Sequence, residues 1–219
     1  MKKNLTEMVF ILDRSGSMQS LTADTIGGFN GMIESQKAED GEAYVTTVLF
    51  DDDYLMLHDH VNIKDVHPIT NKEYYARGCT ALLDAIGKTI NSIGQRLSDT
   101  PEDERPEKVI FVITTDGLEN SSVEFTKSKV KEMIEHQQEK YSWLFMFLGA
   151  NMDAVSEASS LGIRSNLAAT YTASAQGTSS VYYATAEAMS AVRSIDTAST
   201  DWLESAVDCL ECSLSSHIE

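Results

Sequence analysis

Oxygen-bearing side chains follow directly after the first apolar run of the chain. Met8–Leu12 contains only apolar residues, and Asp13, Ser15 and Ser17 come within the next five positions. Carboxylate and hydroxyl oxygens are hard ligands, which suit Mg²⁺, Mn²⁺ or Ca²⁺ better than zinc or copper. Taken alone, the pattern is equally typical of a polar turn with a serine helix cap.

Two further polar clusters are expected to lie near the first. Thr80 lies in "RGCTALLDAI" (77–86), ahead of an amphipathic stretch, and Asp116 comes just past the apolar run Val109–Ile113. Ligands of open α/β sheets bind outside the carboxyl ends of the strands, where the strand order reverses. We therefore predict one metal site there, with the ligands Asp13, Ser15, Ser17, Thr80 and Asp116. Because only two of these are carboxylates, the ion would attract a further carboxylate.

The secondary structure that must position these residues alternates between buried strands and amphipathic helices. Strands are predicted at Met8–Leu12, Val45–Phe50, Tyr54–Leu57, Val109–Ile113, Trp143–Leu148 and Asn166–Tyr171. Helices are predicted around Ile26–Ile33, Leu82–Leu97, Val130–Ile134, Asp153–Ser160 and Ser180–Ile195. Apolar runs without alternation are typical of parallel strands, and the short acidic link Asp51–Asp53 favours a hairpin to an antiparallel edge strand. The predicted fold class is α/β, a doubly wound Rossmann-like sandwich with a mostly parallel central sheet, one antiparallel edge strand and helices on both faces.

Two local patterns refine the helices. Gly27, Gly28 and Gly31 would weaken an isolated helix, so they indicate either close packing or a broken helix. Ser121 followed by Glu124 resembles a capping box, which predicts that the third long helix begins there.

The end of the chain carries a weaker pattern. We assign 1–198 to one domain and 199–219 to a Ser- and Ala-rich tail. Within the tail, Trp202, Ala206 and Leu210 predict one or two amphipathic turns.

Composition narrows the classes of function. The chain has 219 residues and a formal net charge of -17, and this sign repels nucleic acids and anionic membranes. No stretch approaches the roughly 18 apolar residues of a membrane span. Three cysteines are too few for a disulfide framework, so we expect a cytoplasmic protein.

The three polar clusters together resemble a known family. D-x-S-x-S at Asp13–Ser17, the threonine of "GCTALLDAI" and the aspartate of "TTDG" are similar to the three-loop metal-ion-dependent adhesion site (MIDAS) of von Willebrand factor A (vWA) domains. The similarity runs from Glu7 to Tyr171 and continues through the helix ending near Ile195. Cys79 stands where glycine is common in the family.

The resemblance implies both a ligand and a role. It implies Mg²⁺ or Mn²⁺, rather than Ca²⁺, at the carboxyl edge of the sheet, with a Glu or Asp of a partner protein completing the metal shell. Members that this chain resembles are intracellular bacterial proteins, which act as scaffolds or accessory subunits.

Three hypotheses for the function follow. The leading one is a metal-dependent protein-binding module that is not an enzyme, because the motif loops contain no His or Lys as a general base. The alternative is a magnesium-dependent phosphohydrolase with Asp13 as nucleophile, although Ser15 stands where haloacid-type enzymes carry a second aspartate. The third is self-association through the acidic surface and the tail.

Several residues near the motifs allow two interpretations. Asp84 either supports the metal loops or faces solvent from its helix. Arg14 and Arg77 either attract an acidic partner or are ordinary surface arginines. Tyr74 and Tyr75 either anchor a partner at the rim or pack the loop, and packing is favoured.

Two other motifs are interpreted as incidental. His58 and His60 alternate in a strand, but two histidines without a third ligand make a poor zinc site. Cys209 and Cys212 form C-x-x-C without the strand–turn–helix context of a redox motif.

Overall fold

The computed structural model describes residues 1–199 and 202–217. Within them the strands are β1 (Lys2–Asp13), β2 (Glu42–Phe50), β3 (Tyr54–Asn62), β4 (Pro106–Thr115), β5 (Leu144–Ala150) and β6 (Ala168–Tyr171). The α-helices are α1 (Thr22–Lys37), α2 (Leu82–Asp99), α3 (Lys127–Tyr141), α4 (Ala154–Ser160), α5 (Ala175–Ser194) and α6 (Trp202–His217). No helix in these ranges is long and apolar enough to span a membrane.

The strands form one sheet in the order β3-β2-β1-β4-β5-β6. Neighbouring strands are parallel except β2 and β3, which pair antiparallel at one edge. Helices lie on both faces, so the predicted doubly wound α/β fold is confirmed. The strand order reverses between β1 and β4, and both strands end at the same edge of the sheet.

The core lies along the three central strands. β1, β4 and β5 are buried almost throughout, as their continuous apolar runs predict. Side chains such as Phe10, Phe111 and Phe147 are fully buried. A strand covered on both faces holds its last residue rigidly, and β1 ends at Asp13.

The glycines of α1 allow close packing between helices. α1 is continuous, so the glycines do not break it. Gly28 lies directly under the ring of Tyr182 from α5, and a Cβ at Gly28 would overlap that ring. Close packing is therefore the reason for Gly28, whereas no atom lies within 4 Å of the Cβ position at Gly27 or Gly31.

The predicted start of the third long helix is wrong. α3 begins at Lys127, and its N-cap is Thr126, whose side chain accepts a hydrogen bond from the amide of Lys129. Ser121 instead donates its amide to Oε1 of Glu119. The capping-box pattern fails here because Glu119 binds the amide of Ser121 locally, and Asp84 on α2 binds the amide of Glu124.

The C-terminal helix is longer than the one or two turns predicted. α6 has 16 residues and packs against α5 through buried Ala206, Val207, Leu210 and Leu214. Serines interrupt this apolar stripe and lower its helix propensity, which is why the pattern is weak in the sequence. Packing supplies the stability that the propensity lacks.

Candidate metal site

Asp13 forms the base of the candidate site. Its side chain is fully buried at the end of β1. Oδ1 accepts the amide of Ser15 at 2.6 Å, and Oδ2 accepts the hydroxyl of Thr115 at 2.6 Å. Each carboxylate oxygen keeps a lone pair for a further ligand, so these hydrogen bonds fix the orientation of Asp13 without exhausting it.

The other predicted ligands meet beside Asp13. Oγ of Ser15 lies 3.1 Å from Oγ of Ser17, which donates to Oδ1 of Asp116 at 2.6 Å. A Cβ on Gly117 would lie 3.4 Å from Oγ1 of Thr80 and 3.8 Å from Oγ of Ser17. The structure therefore brings oxygen atoms from all three loops to one place, where Ser17 is exposed to solvent.

The carboxylate of Asp13 is buried, whereas that of Asp116 is half-buried. Burial raises the pKa of Asp13 to about 6, although hydrogen bonds from Thr115 and Ser15 lower it, and the charge of Asp116 raises it slightly. Burial also raises the pKa of Asp116, and the hydroxyl of Ser17 opposes that shift. Desolvation penalises the ionised forms, and a bound cation would remove that penalty.

The loop around Thr80 is paired to the loop after β4. The amide of Thr80 donates to Oδ1 of Asn120 at 3.0 Å, and the amide of Asn120 donates to the carbonyl of Thr80 at 3.1 Å. Oε2 of Glu119 accepts the amide of Leu83 in the first turn of α2 at 2.9 Å. These bonds hold the loop of Thr80 against the loop that follows Asp116.

Asp84 supports the same loop. It is buried on α2, and its carboxylate accepts the amides of Val123, Glu124 and Phe125 at 2.8–3.3 Å. The solvent-facing interpretation of Asp84 is therefore wrong. The carboxylate acts behind the metal loops by fixing the loop that carries Asp116.

The arginines beside the motifs differ in exposure. Arg14 is buried, and its Nε lies 2.9 Å from Oδ2 of Asp51, too poorly aligned for a hydrogen bond. Arg77 is half-exposed and donates from Nε and Nη2 to Asp51 and Asp53 at 2.7 and 2.6 Å. Arg14 is therefore internal, and only Arg77 reaches the surface beside the site.

Tyr74 and Tyr75 also differ in exposure. The hydroxyl of Tyr74 donates to the carbonyl of Asp13 at 2.5 Å, and the side chain is fully buried. Tyr75 is 44% exposed, and its ring centroid lies 5.6 Å from the guanidinium of Arg14 and 5.8 Å from that of Arg77. Tyr74 is thus a packing residue, while Tyr75 lies on the rim.

Comparisons with known proteins were made against families, curated sequences and solved structures. No family model and no curated protein matches the chain. Among solved structures, a von Willebrand factor type A protein from Catenulispora acidiphila matches with a TM-score of 0.62 and 12% identity, over 87% of this chain and 43% of that one. The chain has the fold of a von Willebrand factor A domain.

Two other structures with a similar fold contain metal. Proximal thread matrix protein 1 from the mussel byssus, with a zinc-occupied MIDAS motif, matches with a TM-score of 0.58 and 17% identity over 87% of this chain and 47% of that one. Manganese-loaded TRAP protein from Plasmodium vivax matches with a TM-score of 0.55 and 16% identity over 78% and 70%. The chain spans less than half of the length of the Catenulispora and mussel proteins.

The five candidate ligands suit a divalent cation that prefers oxygen, and only two of them are carboxylates. The two aspartates and three hydroxyls are all oxygen ligands. Among residues 1–199 and 202–217, no three His, Cys, Asp or Glu side chains gather into a metal-binding group. A metal at this edge would therefore depend on the hydroxyls of Ser15, Ser17 and Thr80.

Several residues that position the three loops are not evident from the sequence. Thr115, Asn120, Glu119 and Asp51 all bond to loops distant from them in the chain. Only Thr115 had a local signal, because it lies beside Asp116 at the end of a buried strand. The others carry no pattern that distinguishes them from ordinary loop residues.

Proposed function

We propose that the chain is a divalent-cation-dependent protein-binding module. Asp13, Ser15, Ser17, Thr80 and Asp116 would hold the cation at the carboxyl edge of the sheet. A Glu or Asp of a partner protein would complete the metal shell. In this proposal the protein serves as a scaffold or accessory subunit and performs no catalysis.

The observation that carries the proposal is the convergence of three loops on the buried carboxylate of Asp13 and the half-buried carboxylate of Asp116. The Asp13 pKa of about 6 indicates that ionising this group costs free energy in the metal-free protein. Within residues 1–199 and 202–217, the groups that donate to the two aspartates are uncharged hydroxyls and an amide. A dication would balance both charges, and this balance is the physical reason to expect metal there.

The choice of cation follows from the ligand chemistry. Mg²⁺ favours about six oxygen ligands and keeps some waters, which suits a site with few carboxylates. Mn²⁺ accepts similar ligands, whereas Ca²⁺ favours six to eight oxygens. We therefore propose Mg²⁺ or Mn²⁺ for this site. The metals in TRAP and in the mussel protein support a divalent ion without fixing which one.

The phosphohydrolase alternative is not favoured. Ser15 stands where haloacid-type enzymes carry a second catalytic aspartate. A protein named as an adhesin shares the fold, which supports a binding function. This pilus adhesin from Lactobacillus rhamnosus GG matches with a TM-score of 0.64 and 11% identity over 87% of this chain and 30% of that one. The partner, a cytoplasmic location and a bacterial source remain predictions.

The test combines metal binding with a simple carboxylate probe. Mn²⁺ would be titrated into the chain and followed by EPR, first alone and then with acetate labelled with ¹³C at its carboxyl group. We expect saturable binding of one Mn²⁺, and a carbon hyperfine coupling once acetate enters the shell. The coupling would show that the bound ion accepts an external carboxylate.

A matched pair of serine variants provides the control. Ser17→Ala removes a proposed ligand, whereas Ser20→Ala removes an exposed hydroxyl from the same 3-10 turn, Gly16–Leu21. Ser17→Ala should weaken Mn²⁺ binding, and Ser20→Ala should leave it unchanged. Equal Mn²⁺ affinity in both variants, or no Mn²⁺ binding by the wild type, would overturn the proposal.

A further inference from the structure

The turn between β2 and β3 contains a buried carboxylate whose contacts extend beyond the hairpin. Asp51, Asp52 and Asp53 connect the two strands, and their sequence indicates only a polar link. In the structure the side chain of Asp51 is only 1% exposed, whereas that of Asp53 is 73% exposed. A carboxylate is rarely buried unless other groups compensate its charge.

The groups around Asp51 come from the first two metal loops. Oδ2 of Asp51 lies 2.9 Å from Nε of Arg14 and accepts a hydrogen bond from Nε of Arg77 at 2.7 Å. The carbonyl of Asp51 accepts the amide of Ala81 at 2.9 Å. Arg14 follows the ligand Asp13, and Ala81 follows the ligand Thr80, so one residue contacts both loops.

Backbone contacts strengthen the same connection. The amide of Arg14 donates to the carbonyl of Phe50 at 2.8 Å, and the amide of Arg77 donates to the carbonyl of Arg14 at 2.8 Å. The amide of Gly16 donates to the carbonyl of Gly78 at 3.1 Å. The two loops therefore lie against each other and against the end of β2.

The arginines that Asp51 holds also fix the exposed ring of Tyr75. The guanidinium groups of Arg14 and Arg77 both lie within 6 Å of the ring centroid, at 5.6 and 5.8 Å. A ring held in this way loses little conformational entropy when a partner binds. Asp51 thus connects the geometry of the ligands with that of the rim.

We propose that Asp51 is a positioning residue for the metal site. It holds the loop of Ser15 and Ser17 in register with the loop of Thr80, so that their hydroxyls meet at one cation. This inference rests on the proposed metal-binding function. Asp51 does not itself bind the cation, because the guanidinium groups of Arg14 and Arg77, which both contact Oδ2, already compensate its charge. Oδ1 accepts the amide of Asp53.

The experiment compares Asp51→Asn with Asp53→Asn. Both changes remove one negative charge from the same turn, so a general electrostatic effect on cation binding would be similar in the two variants. Amide hydrogen exchange would be measured in the metal-free protein at Gly16, Arg77 and Ala81. Mn²⁺ affinity and the EPR spectrum of bound Mn²⁺ would be measured on the same samples.

The expected result is specific to Asp51. Asp51→Asn should speed exchange at the three loop amides about tenfold or more while amides of β4 and β5 stay protected. It should weaken Mn²⁺ binding by about tenfold to a hundredfold, the size typical of groups that orient metal ligands, and change the EPR spectrum. Asp53→Asn should change the affinity less than about threefold, because its contact with Arg77 is exposed.

Each contrary result has a definite meaning. Unchanged loop exchange in Asp51→Asn overturns the inference, and so does faster exchange with unchanged Mn²⁺ affinity. Equal losses of affinity in both variants also overturn it, because charge alone would then explain them. A wild-type chain that binds no Mn²⁺ overturns the proposed function, while the exchange data still decide whether Asp51 fixes the loops.

A second variant covers the case in which Asp51→Asn does not fold. Arg77→Gln removes the half-exposed partner of Asp51 and leaves the buried pair of Asp51 with Arg14 in place. We expect faster exchange of the amides at position 77 and at Ala81, and a Mn²⁺ affinity several-fold weaker than that of the wild type. Unchanged values of both quantities in Arg77→Gln would overturn the inference.

Discussion

Glu7 and Asp13 lie on the same strand and are both fully buried, yet their surroundings differ. Oε1 of Glu7 accepts Nη2 of Arg96 at 2.7 Å, and Oε2 lies 2.7 Å from Nδ1 of His60. Among the described residues, Asp13 accepts hydrogen bonds only from neutral donors. Burial raises its pKa, and the charge of Asp116 adds a smaller upward contribution. The protein compensates the charge of Glu7 itself and leaves that of Asp13 uncompensated.

The difference separates a structural ion cluster from a candidate functional one. His60 has a left-handed backbone, with φ 52°, and stacks on Tyr44 with ring centroids 4.0 Å apart. Its imidazole is therefore engaged with Glu7 inside the edge of the sheet, and the His58–His60 pattern gains no role at the metal loops. The cluster around Glu7 contains a residue with a left-handed backbone, His60. At the candidate site, by contrast, the donors that contact Asp13 are uncharged.

The largest effect that would sharpen this contrast is a loss of stability at Glu7. Glu7→Gln should lower the free energy of unfolding by about 2–4 kcal/mol, because Arg96 would lose its buried carboxylate partner and keep only the exposed Asp59. This is less than a fully buried pair would lose, since the side chain of Arg96 is 22% exposed. Urea unfolding with a chelator present would measure it, and Mn²⁺ affinity should not change.

Asp59→Asn is the matched control for that change. Asp59 also pairs with Arg96, at 2.9 Å, but its side chain is 64% exposed. We expect a loss below about 1 kcal/mol, as for other exposed pairs. If Glu7→Gln were no more destabilising than Asp59→Asn, Glu7 would not be the centre of a structural cluster.

Replacing Asp13 should have the opposite effect on stability. In the metal-free protein, its pKa of about 6 lies above the ordinary 3.8, so its ionisation lowers stability as the pH rises from about 4 to 6. Asp13→Asn should therefore raise the free energy of unfolding at pH 8 by up to about 3 kcal/mol. Chelator-treated wild type and variant would be unfolded in urea at pH 4 and pH 8.

Two results would contradict that prediction. The gain should nearly vanish at pH 4, where wild-type Asp13 is protonated, so an equal gain at both pH values would rule out desolvation of the charge as its cause. A loss of stability at pH 8 would mean that Asp13 is compensated within the protein, as Glu7 is. The same variant should bind Mn²⁺ at least about a hundredfold more weakly, because it loses a charged ligand.

The affinity for metal should also depend on the protonation of Asp13. A cation competes with the proton on Asp13, so the apparent Mn²⁺ affinity should be nearly constant above pH 7 and fall about tenfold per pH unit below pH 6. Calorimetric titrations between pH 5 and pH 8 would measure the profile. Glu7→Gln should follow the same curve, and a flat wild-type profile would show that no proton on Asp13 is displaced.

Sequence reasoning reached the fold because the central strands are covered on both faces. Apolar runs such as Met8–Leu12 and Val109–Ile113 locate β1 and β4, although β1 begins earlier, at Lys2. The first residues of β1 are exposed and polar, so hydrophobicity does not reveal them. Backbone pairing of Lys2 with Pro106 extends the strand instead.

The candidate ligands carry a signal in the sequence because each lies at the end of a strand or near the start of a helix. The supporting residues could not, since their partners are distant along the chain. Asp84 fixes the amides of 123–125 through tertiary contact, and this contact also displaces the helix start predicted at Ser121. Local patterns locate the candidate ligands, but only the folded structure shows what orients them.

The smallest effect concerns the hydroxyl that bonds to each carboxylate. Thr115 donates to Asp13 at 2.6 Å, and Thr46 donates to Glu7 at 2.8 Å. Thr115→Val should raise the pKa of Asp13 further and weaken Mn²⁺ binding about tenfold at pH 6, and less at pH 8. Thr46→Val should cost about 1 kcal/mol of stability and leave Mn²⁺ binding unchanged. If titrations at both pH values showed the same loss for Thr115→Val, this hydroxyl would act by orienting Asp13 and not by tuning its charge.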